Sequence, residues 1–189
     1  MTAALALAVG VALAVDRWRG EPPARAHPVV WMGHYLAALG RRIAPCADAP
    51  QRSRLWHFTA GAAAWCVGAA LLAAFAAWLQ SQLAGWPLPV AALALGLLLK
   101  PLLAWRMLRD EVQAVESALA VSLEQGRAQL ARLVSRDVSS LSAQEVRESA
   151  IESLAENLND SLVAPLFWFV LLGLPGAAVY PFANTADAM

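Results

Sequence analysis

Long apolar stretches alternate with polar ones along the chain, and this alternation dominates the sequence. The apolar stretches cover residues 2–15, 58–79, 87–105 and 162–180. The second and third are long enough to cross a bilayer as helices, which takes about 20 residues, and the first is shorter but compatible with a crossing. Tryptophans lie near the ends of these two longer stretches: Trp56, Trp78, Trp86 and Trp105. Because tryptophan concentrates at membrane–water interfaces, the pattern predicts an all-α, polytopic integral membrane protein with three spanning helices.

Charge sets the orientation of these helices. The chain is 59% hydrophobic and has a formal net charge of zero, which hides an uneven distribution. Arginines crowd the polar connection 16–57 and the segment after residue 105, whereas the connection 80–86 carries no charge. The positive-inside rule therefore places the first and third connections in the cytoplasm and the N-terminus outside.

The one lysine of the chain lies near the inner end of the third apolar stretch. The aliphatic stem of a lysine at this depth can reach the headgroups, so Lys100 is predicted to snorkel to the membrane surface in a structural role. Pro101 is predicted to bend the helix as it leaves the membrane. Since Lys100 is the only charge within the predicted spans, a transporter with a site at the membrane midplane is disfavoured.

Two further segments complete the predicted architecture. Helical periodicity over residues 106–136 indicates one long helix, or two with a break at Gly126. The fourth apolar stretch is interrupted at Gly173 and Pro175, which leaves a length typical of a re-entrant segment. We therefore predict three regions: membrane helices with an Arg-rich cytoplasmic loop at 16–57 (residues 1–105), a cytoplasmic helical segment (106–161), and a membrane hairpin or fourth membrane helix (162–189).

An acidic stripe marks the end of the cytoplasmic segment. Ser142 and Glu145 have the S-x-x-E spacing of a capping box, which predicts a helix start. Acids then recur every three or four residues and share one helix face: Glu145, Glu148, Glu152, Glu156 and Asp160. Because like charges repel, the stripe is a solvated surface, is faced by arginines, or holds a metal ion. The mixture of carboxylates and amides between Glu156 and Asp160 favours a site.

The polar segment after the first apolar stretch reads DRWRGEPPARAHP and contains Asp16, Arg17, Glu21 and His27. Its prolines favour extended backbone, which predicts a rigid polar loop able to bind an anion at the cytoplasmic surface. An arginine loop that only sets topology is an equally good interpretation. A lone histidine such as His27 is more often a hydrogen-bonding loop residue than a ligand.

Several short motifs occur in a particular order along the chain: EPP and HPV in the front segment, Arg136-Asp137, ESLAENLNDSLVAPLFWF, GLPGAAVY and NTADAM. Together they resemble the adenosylcobinamide-phosphate synthase family of cobalamin biosynthesis (CobD/CbiB), over essentially the whole chain. The chain departs from the family pattern at Ser135 and Val138, where glycine and threonine are usual. It also has Pro181 where a basic residue is usual, which removes a candidate phosphate contact.

The resemblance implies a multi-pass enzyme of the bacterial inner membrane with its active side in the cytoplasm. Such an enzyme uses ATP to join adenosylcobyric acid to (R)-1-amino-2-propanol, or to its O-phosphate, through an amide bond. The implied partners are these substrates, the lipid bilayer, and other corrinoid-pathway membrane enzymes or a second copy of the chain; no nucleic acid is expected. Family members continue beyond the NTADAM segment, so a C-terminal part is expected to be missing. The sequence itself contains no Walker motif and no glycine-rich nucleotide loop.

The resemblance and the acidic stripe together suggest roles for individual residues. Mg²⁺ is predicted at Glu152, Glu156 and Asp160, since this ion binds carboxylates, waters and phosphate oxygens. The predicted catalytic residues are Glu156, Asp160 and Asp187. The predicted substrate-binding residues are Asp16, Arg17, His27, Arg136, Asp137, Asn157 and Asn184. Asn184 and Asp187 reach the acidic helix only if the last apolar stretch forms a hairpin. The alternative function is a non-catalytic membrane signalling or assembly protein on the same scaffold.

Overall fold

The computed structural model describes residues 2–44 and 54–189, and every regular element in these two ranges is helical. The predicted all-α class is therefore confirmed. The helices are α1 (Thr2–Arg19), α2 (Pro28–Ile43), α3 (Arg54–Gln82), α4 (Leu88–Leu99), α5 (Trp105–Val121), α6 (Leu123–Leu130), α7 (Ala143–Leu158), α8 (Ala164–Leu172) and α9 (Leu174–Asp187). Short 3₁₀ turns cover Ala24–Ala26 and Lys100–Leu102, and a π turn covers Asn159–Val163. The predicted Arg-rich loop 16–57 contains α2, and its residues 45–53 lie outside the described part of the chain.

Within the described ranges, two helical segments are long and apolar enough to cross a membrane. They are Arg54–Gln82 and Leu88–Val121, each with a mean hydropathy of 1.9 over its most apolar window. Only 11% of that window in Arg54–Gln82 is buried within the protein, so most of the apolar surface of α3 faces outward. The last turn of α1 carries Asp16, Arg17 and Arg19, which shortens its apolar part. The third span and the cytoplasmic orientation remain predictions.

The helices α1 and α4 pack closely along stripes of small residues spaced four apart. The stripes consist of Ala4, Ala8 and Ala12 on α1, and Ala92 and Gly96 on α4, all of them buried. A Cβ atom at Gly96 would overlap the side chain of Val11 and the carbonyl oxygen of Ala8, so the two backbones are in direct contact. Small residues at such spacing allow the close helix contacts that are common in membranes.

A second, smaller core lies among α5, α6 and α7. It is formed by buried apolar residues: Val115, Leu130, Val138, Val146 and Ala150. The break predicted at Gly126 is wrong, because the helix is interrupted at Ser122, which has extended backbone and caps α6 by accepting a hydrogen bond from the Gln125 N–H. Gly126 instead lies within α6, where a Cβ atom would overlap the Leu119 side chain. The glycine therefore allows α5 and α6 to fold tightly against each other.

The acidic helix begins and continues largely as its sequence indicates. The capping box between Ser142 and Glu145 is present in both directions, which confirms the predicted start of α7. From there the chain stays helical through the π turn and α8 to Gly173, where φ is +70° and ψ is −156°. Only glycine adopts this conformation readily, and the chain reverses at this point into α9. The predicted hairpin is thus formed, while its insertion into a membrane remains a prediction.

The reversal at Gly173 is held by a side chain from another helix. Gln80, near the end of α3, accepts a hydrogen bond from the Leu174 N–H at 2.7 Å, which satisfies one of the free amides at the start of α9. Further along, Phe182 of α9 packs between two aromatic residues, Tyr35 of α2 and Trp65 of α3. These contacts fix α9 against α2 and α3.

Candidate functional site

A buried carboxylate lies where the C-terminal end of α1 meets the start of α5. Asp16 follows Ala12 by four residues, so the close packing of α1 on α4 places it inside the protein, with none of its surface exposed. Its Oδ2 atom accepts a hydrogen bond from the Arg106 N–H at 2.9 Å. Ala104, the residue that precedes α5, has no side chain able to cap the helix. Asp16 therefore caps α5 from a different helix, and its charge is favourable at a helix N-terminus.

Lys100 follows Gly96 by four residues on the stripe of α4 that faces α1. This position makes it the counter-ion of the Asp16 carboxylate. Its Nζ atom lies 2.9 Å from Asp16 Oδ1 and 2.9 Å from Glu21 Oε1, and it donates a hydrogen bond to the Leu103 carbonyl oxygen at 3.3 Å. Within the described part of the chain Asp16 Oδ1 has no hydrogen-bond partner, so its contact with Lys100 is an ion pair only. Lys100 is 5% exposed. The prediction that it snorkels to the headgroups is therefore wrong: its ammonium turns inward to two carboxylates.

Glu21 links this ion pair to the front loop. Its Oε2 atom lies 3.0 Å from His27 Nε2, and both side chains are largely buried, with 18% and 19% of their surface exposed. The loop is extended at Pro23 (ψ 147°) and at His27 (ψ 117°), as its prolines predict, and the 3₁₀ turn Ala24–Ala26 lies between them. The predicted binding residues Asp16 and His27 thus belong to one network, connected through Lys100 and Glu21.

Two open cavities flank the loop at Gly20 and Glu21. One, of about 450 Å³, is largely apolar, with Lys100 and Glu21 at its wall beside Leu97 and Pro22. The other, of about 410 Å³, is lined by charged and amide side chains, including Arg19, Arg106, Glu111 and Gln129. Gly20 has φ +67°, and a Cβ atom there would approach Arg106 Cδ to 3.3 Å. The loop therefore separates an apolar space next to α4 from a charged space next to α5.

The π turn connects this corner to the acidic helix. Pro165 has no N–H to donate to the carbonyl oxygen of Ser161, four residues earlier, and its ring would clash with that oxygen in a regular α-helix. The chain widens instead, and the Ala164 N–H bonds to the Asn159 carbonyl oxygen five residues back. The Ser161 carbonyl oxygen then accepts a hydrogen bond from the Ala104 N–H at 3.0 Å. Wider turns of this kind are frequent at functional sites.

Asp160, within the π turn, is paired with the returning arm of the hairpin. The Tyr180 hydroxyl donates a hydrogen bond to Asp160 Oδ1 at 2.9 Å, and the Asn159 side-chain amide donates to the same atom at 3.0 Å. Tyr180 lies one turn before Asn184 on α9. The hairpin thus brings α9 back to the π turn at the end of the acidic helix.

The other predicted residues are more dispersed. Arg136 donates to Glu152 Oε2 at 2.8 Å and to the Ser149 hydroxyl at 2.7 Å, so an arginine does face the acidic stripe. Asp137 is occupied in a local turn, where it accepts hydrogen bonds from the backbone N–H and the hydroxyl of Ser139. The Ser139 N–H, ahead of the hydroxyl, lowers the pKa of the Asp137 carboxyl.

The remaining side chains are exposed or bonded within their own helix. Asn157 donates a hydrogen bond to the Ser153 carbonyl oxygen at 2.8 Å. Arg17, Glu156 and Asp187 are exposed, and Asn184 is half-buried. The structure therefore connects Asp16 and His27 in one network, pairs Arg136 with Glu152, and pairs Asp160 with Tyr180.

The predicted Mg²⁺ ligands do not form a three-carboxylate cage. Within residues 2–44 and 54–189, no three His, Cys, Asp or Glu side chains are grouped as metal ligands. Among the described residues, Glu152 is paired with Arg136, Glu156 has no hydrogen-bond or ion-pair partner, and Asp160 keeps one oxygen free. Mg²⁺ that is shared with phosphate groups needs only one or two protein carboxylates. Glu156 and Asp160 are sufficient for such a partial site.

Sequence reasoning missed Lys100, Glu21 and Tyr180 as members of these networks. For Lys100 a signal was present in the four-residue spacing of two helices: Ala4, Ala8, Ala12 and Asp16 on one, and Ala92, Gly96 and Lys100 on the other. Read together, the two stripes predict that the acid and the base meet. No comparable spacing links Asp160 to Tyr180, because their contact depends on the geometry of the hairpin.

In the part of the chain that the structure describes, these features define an all-helical protein with two membrane-length apolar helices and a buried ion network at the end of a close helix pair. The CobD/Cbib protein family matches residues 9–189 of the chain. The chain belongs to this family.

Relatives from archaea and bacteria agree with the match. The chain is 42% identical to a "Probable cobalamin biosynthesis protein CobD" of Pyrococcus abyssi, over 96% of this chain and 58% of the relative. It is 38% identical to the protein of the same name in Thermococcus kodakarensis, over 95% and 56%, and 40% identical to the "Cobalamin biosynthesis protein CobD" of Chromobacterium violaceum, over 97% and 57%. The chain thus spans a little over half the length of these relatives. No solved structure matches it.

Proposed function

We propose that this chain acts in cobalamin biosynthesis as an adenosylcobinamide-phosphate synthase, or as the part of one that its sequence spans. The reaction joins a carboxyl group of adenosylcobyric acid to the amine of (R)-1-amino-2-propanol, or of its O-phosphate, at the expense of ATP. The observation that supports this most is the family match over residues 9–189, which includes the front loop, the acidic helix and α9.

The charge network supports a role at the boundary between membrane and cytosol. Asp16, Glu21, His27 and Lys100 lie at one end of the apolar helix pair α1 and α4, next to the two cavities. Buried charges are costly in a protein interior and are often retained at functional sites. In this proposal, the front loop and its two cavities hold part of the corrinoid or the aminopropanol substrate, with His27 and the exposed Arg17 as binding groups.

The acidic helix supplies the reacting groups in this proposal. Formation of the amide requires an activated carboxyl oxygen, a bound phosphate and a base that takes the proton of the attacking amine. Glu156 is exposed and unpaired, and Asp160 keeps one oxygen free, so both remain able to act as ligand or base. Mg²⁺ bound at these carboxylates would neutralise phosphate charge. Asp187 and Asn184 on α9, and Asn157 one residue after Glu156, remain candidates to orient the amine and the substrate amides.

Replacement of Glu156 tests this assignment. The complete gene, with Glu156→Ala, would be expressed in a strain that lacks its own synthase, and adenosylcobinamide formation would be measured in its membranes. We expect a loss of about 100-fold, the size typical of a missing acid–base group. Glu148→Ala is the matched control, since Glu148 lies two turns earlier on the same stripe and should keep full activity. Unchanged synthesis with Glu156→Ala would remove Glu156 from the site, whereas an inactive wild-type protein would favour the signalling or assembly alternative.

A further inference from the structure

The chain contains one lysine among fourteen basic residues, and that lysine is buried between two carboxylates. A compact ammonium has three donors that point in different directions, whereas guanidinium is a planar fork suited to a single carboxylate. Lys100 donates hydrogen bonds to Glu21 and to the Leu103 carbonyl oxygen and forms an ion pair with Asp16, so three protein oxygens surround its ammonium. Lys100 is therefore fully occupied and is not itself available to bind a substrate.

The hydrogen bond between Lys100 and Glu21 attaches the front loop to the corner between α4 and α5. Among the described residues, it is the only side-chain hydrogen bond between the loop 20–27 and the corner 99–106. A hydrogen bond from Trp31 Nε1 to the Arg25 carbonyl oxygen also reaches the loop, but it comes from α2, the helix that directly follows the loop. It therefore shapes the loop without attaching it to α4.

We propose that Lys100 is a positioning residue, which holds the Glu21 carboxylate at the wall of the cavity of about 450 Å³ and, through it, fixes the imidazole of His27 in the front loop. The proposal rests on the proposed function, because His27 is a substrate-binding residue only there. Lys100 acts on two elements at once: it neutralises Asp16, the cap of α5, and it anchors the front loop through Glu21. Binding at the front loop then depends on a lysine whose ammonium is held by protein oxygens.

A direct test of the anchor measures how accessible the Lys100 amine is. Reductive methylation of the intact protein with labelled formaldehyde, followed by mass spectrometry of the peptide that contains Lys100, gives the methylation rate of this amine. We expect Lys100 to be protected in the wild type. Glu21→Ala should raise its methylation rate roughly tenfold, because a charge-assisted hydrogen bond that closes the loop is lost. Glu124→Ala, at an exposed position on α6, is the matched control and should leave the rate unchanged.

A second variant separates positioning from folding. Lys100→Met alone would leave Asp16 buried without a counter-ion and is expected to unfold. The double variant Asp16→Asn/Lys100→Met removes both charges and keeps a carbonyl oxygen for the Arg106 N–H, so it should fold. In this variant we expect the amides of residues 20–27 to exchange roughly tenfold faster, and KM for the substrate bound at the loop to rise with little change in kcat.

The outcomes distinguish this proposal from the proposed function. Loop amides that exchange at the wild-type rate in the double variant would overturn the positioning role, as would a Lys100 that stays protected in Glu21→Ala. A released loop with unchanged KM would also overturn it. If the wild-type protein proves to have no synthase activity, the proposed function fails, but the methylation and exchange measurements still decide whether Lys100 anchors the loop.

Discussion

The backbone N–H of Ala104 donates a hydrogen bond to the carbonyl oxygen of Ser161 at 3.0 Å. This bond joins the corner between α4 and α5, which carries Lys100, to the π turn that carries Asp160. It exists because Pro165 cannot bond the Ser161 carbonyl from within the helix. One proline therefore links the two polar regions in which most of the candidate residues lie.

Pro165→Ala is expected to break this link. Alanine restores the missing N–H, so the helix can return to regular α geometry and bond the Ser161 carbonyl internally. The loss of the wider turn rotates Asp160 about the helix axis and away from Tyr180. The rotation is about 100°, which is the rotation per residue of an α-helix. Amide exchange measured by mass spectrometry or NMR should show faster exchange at Ala104.

Pro175→Ala is the control for this experiment. Pro175 lies in the first turn of α9, where a helix has no internal acceptor for the N–H, so its replacement should leave exchange at Ala104 unchanged. If Ala104 keeps its wild-type protection in Pro165→Ala, the proline is not the reason for the link.

Much of the fold is readable from the sequence. The apolar stretches predict helices, the spacing of Ser142 and Glu145 predicts the start of α7, and Gly173 predicts the reversal. These are local signals, since each depends on a few neighbouring residues and on the backbone conformations that they allow. The break at Ser122 is missed because local signals favour another position. Gly126 is the stronger helix breaker in isolation, but it lies inside α6, in close contact with Leu119.

The site was less predictable, because it depends on contacts between distant segments. Helical spacing predicts that Glu152 and Asp160 share one face, but it cannot tell that Arg136 pairs with the first and Tyr180 with the second. Lys100 was misinterpreted because its helix was considered alone. A lysine near the end of an apolar helix normally reaches toward water, and only the matching stripe on α1 indicates that this one points to Asp16.

The contact between Tyr180 and Asp160 should stabilise the hairpin. Tyr180→Phe removes the hydroxyl and should lower the free energy of unfolding by about 1 kcal/mol, the usual value for one hydrogen bond. The other tyrosine offers a matched control, since the Tyr35 hydroxyl donates to the Ala64 carbonyl oxygen, a neutral acceptor at an exposed position. Denaturant titration in detergent would compare the two variants. A larger loss in Tyr35→Phe than in Tyr180→Phe would contradict the assignment.

Gly173 should tolerate no side chain. Its φ of +70° and ψ of −156° cost a non-glycine residue about 1–3 kcal/mol, and a Cβ atom would also overlap the Gln80 amide that caps α9. Gly173→Ala is therefore expected to lower the stability of the folded protein by at least this amount in detergent. Gly85→Ala is the control, because a Cβ atom there meets nothing within 4 Å. Equal stability of the two variants would show that the turn adapts.

The start of α7 should respond to acid. The backbone N–H of Ser142, followed by its hydroxyl, lowers the pKa of the Glu145 carboxyl below its ordinary value of 4.5. A group whose pKa is lowered by folding stabilises the folded state above its unfolded pKa, and this contribution is lost as the pH falls through the lower, folded value. Amide exchange in the first turn of α7, corrected for its intrinsic pH dependence, should therefore accelerate as the pH falls below about 4.5.

Glu145→Gln isolates the response of this one carboxyl from that of Asp137 in the preceding turn. Glutamine can still accept the hydrogen bond from the Ser142 N–H and completes a capping box, but it does not titrate. The variant should keep the first turn of α7 protected at neutral pH and should lose most of its acid sensitivity. If the first turn frays equally in both proteins as the pH falls, the reciprocal bonds between Ser142 and Glu145 are not what holds the helix start.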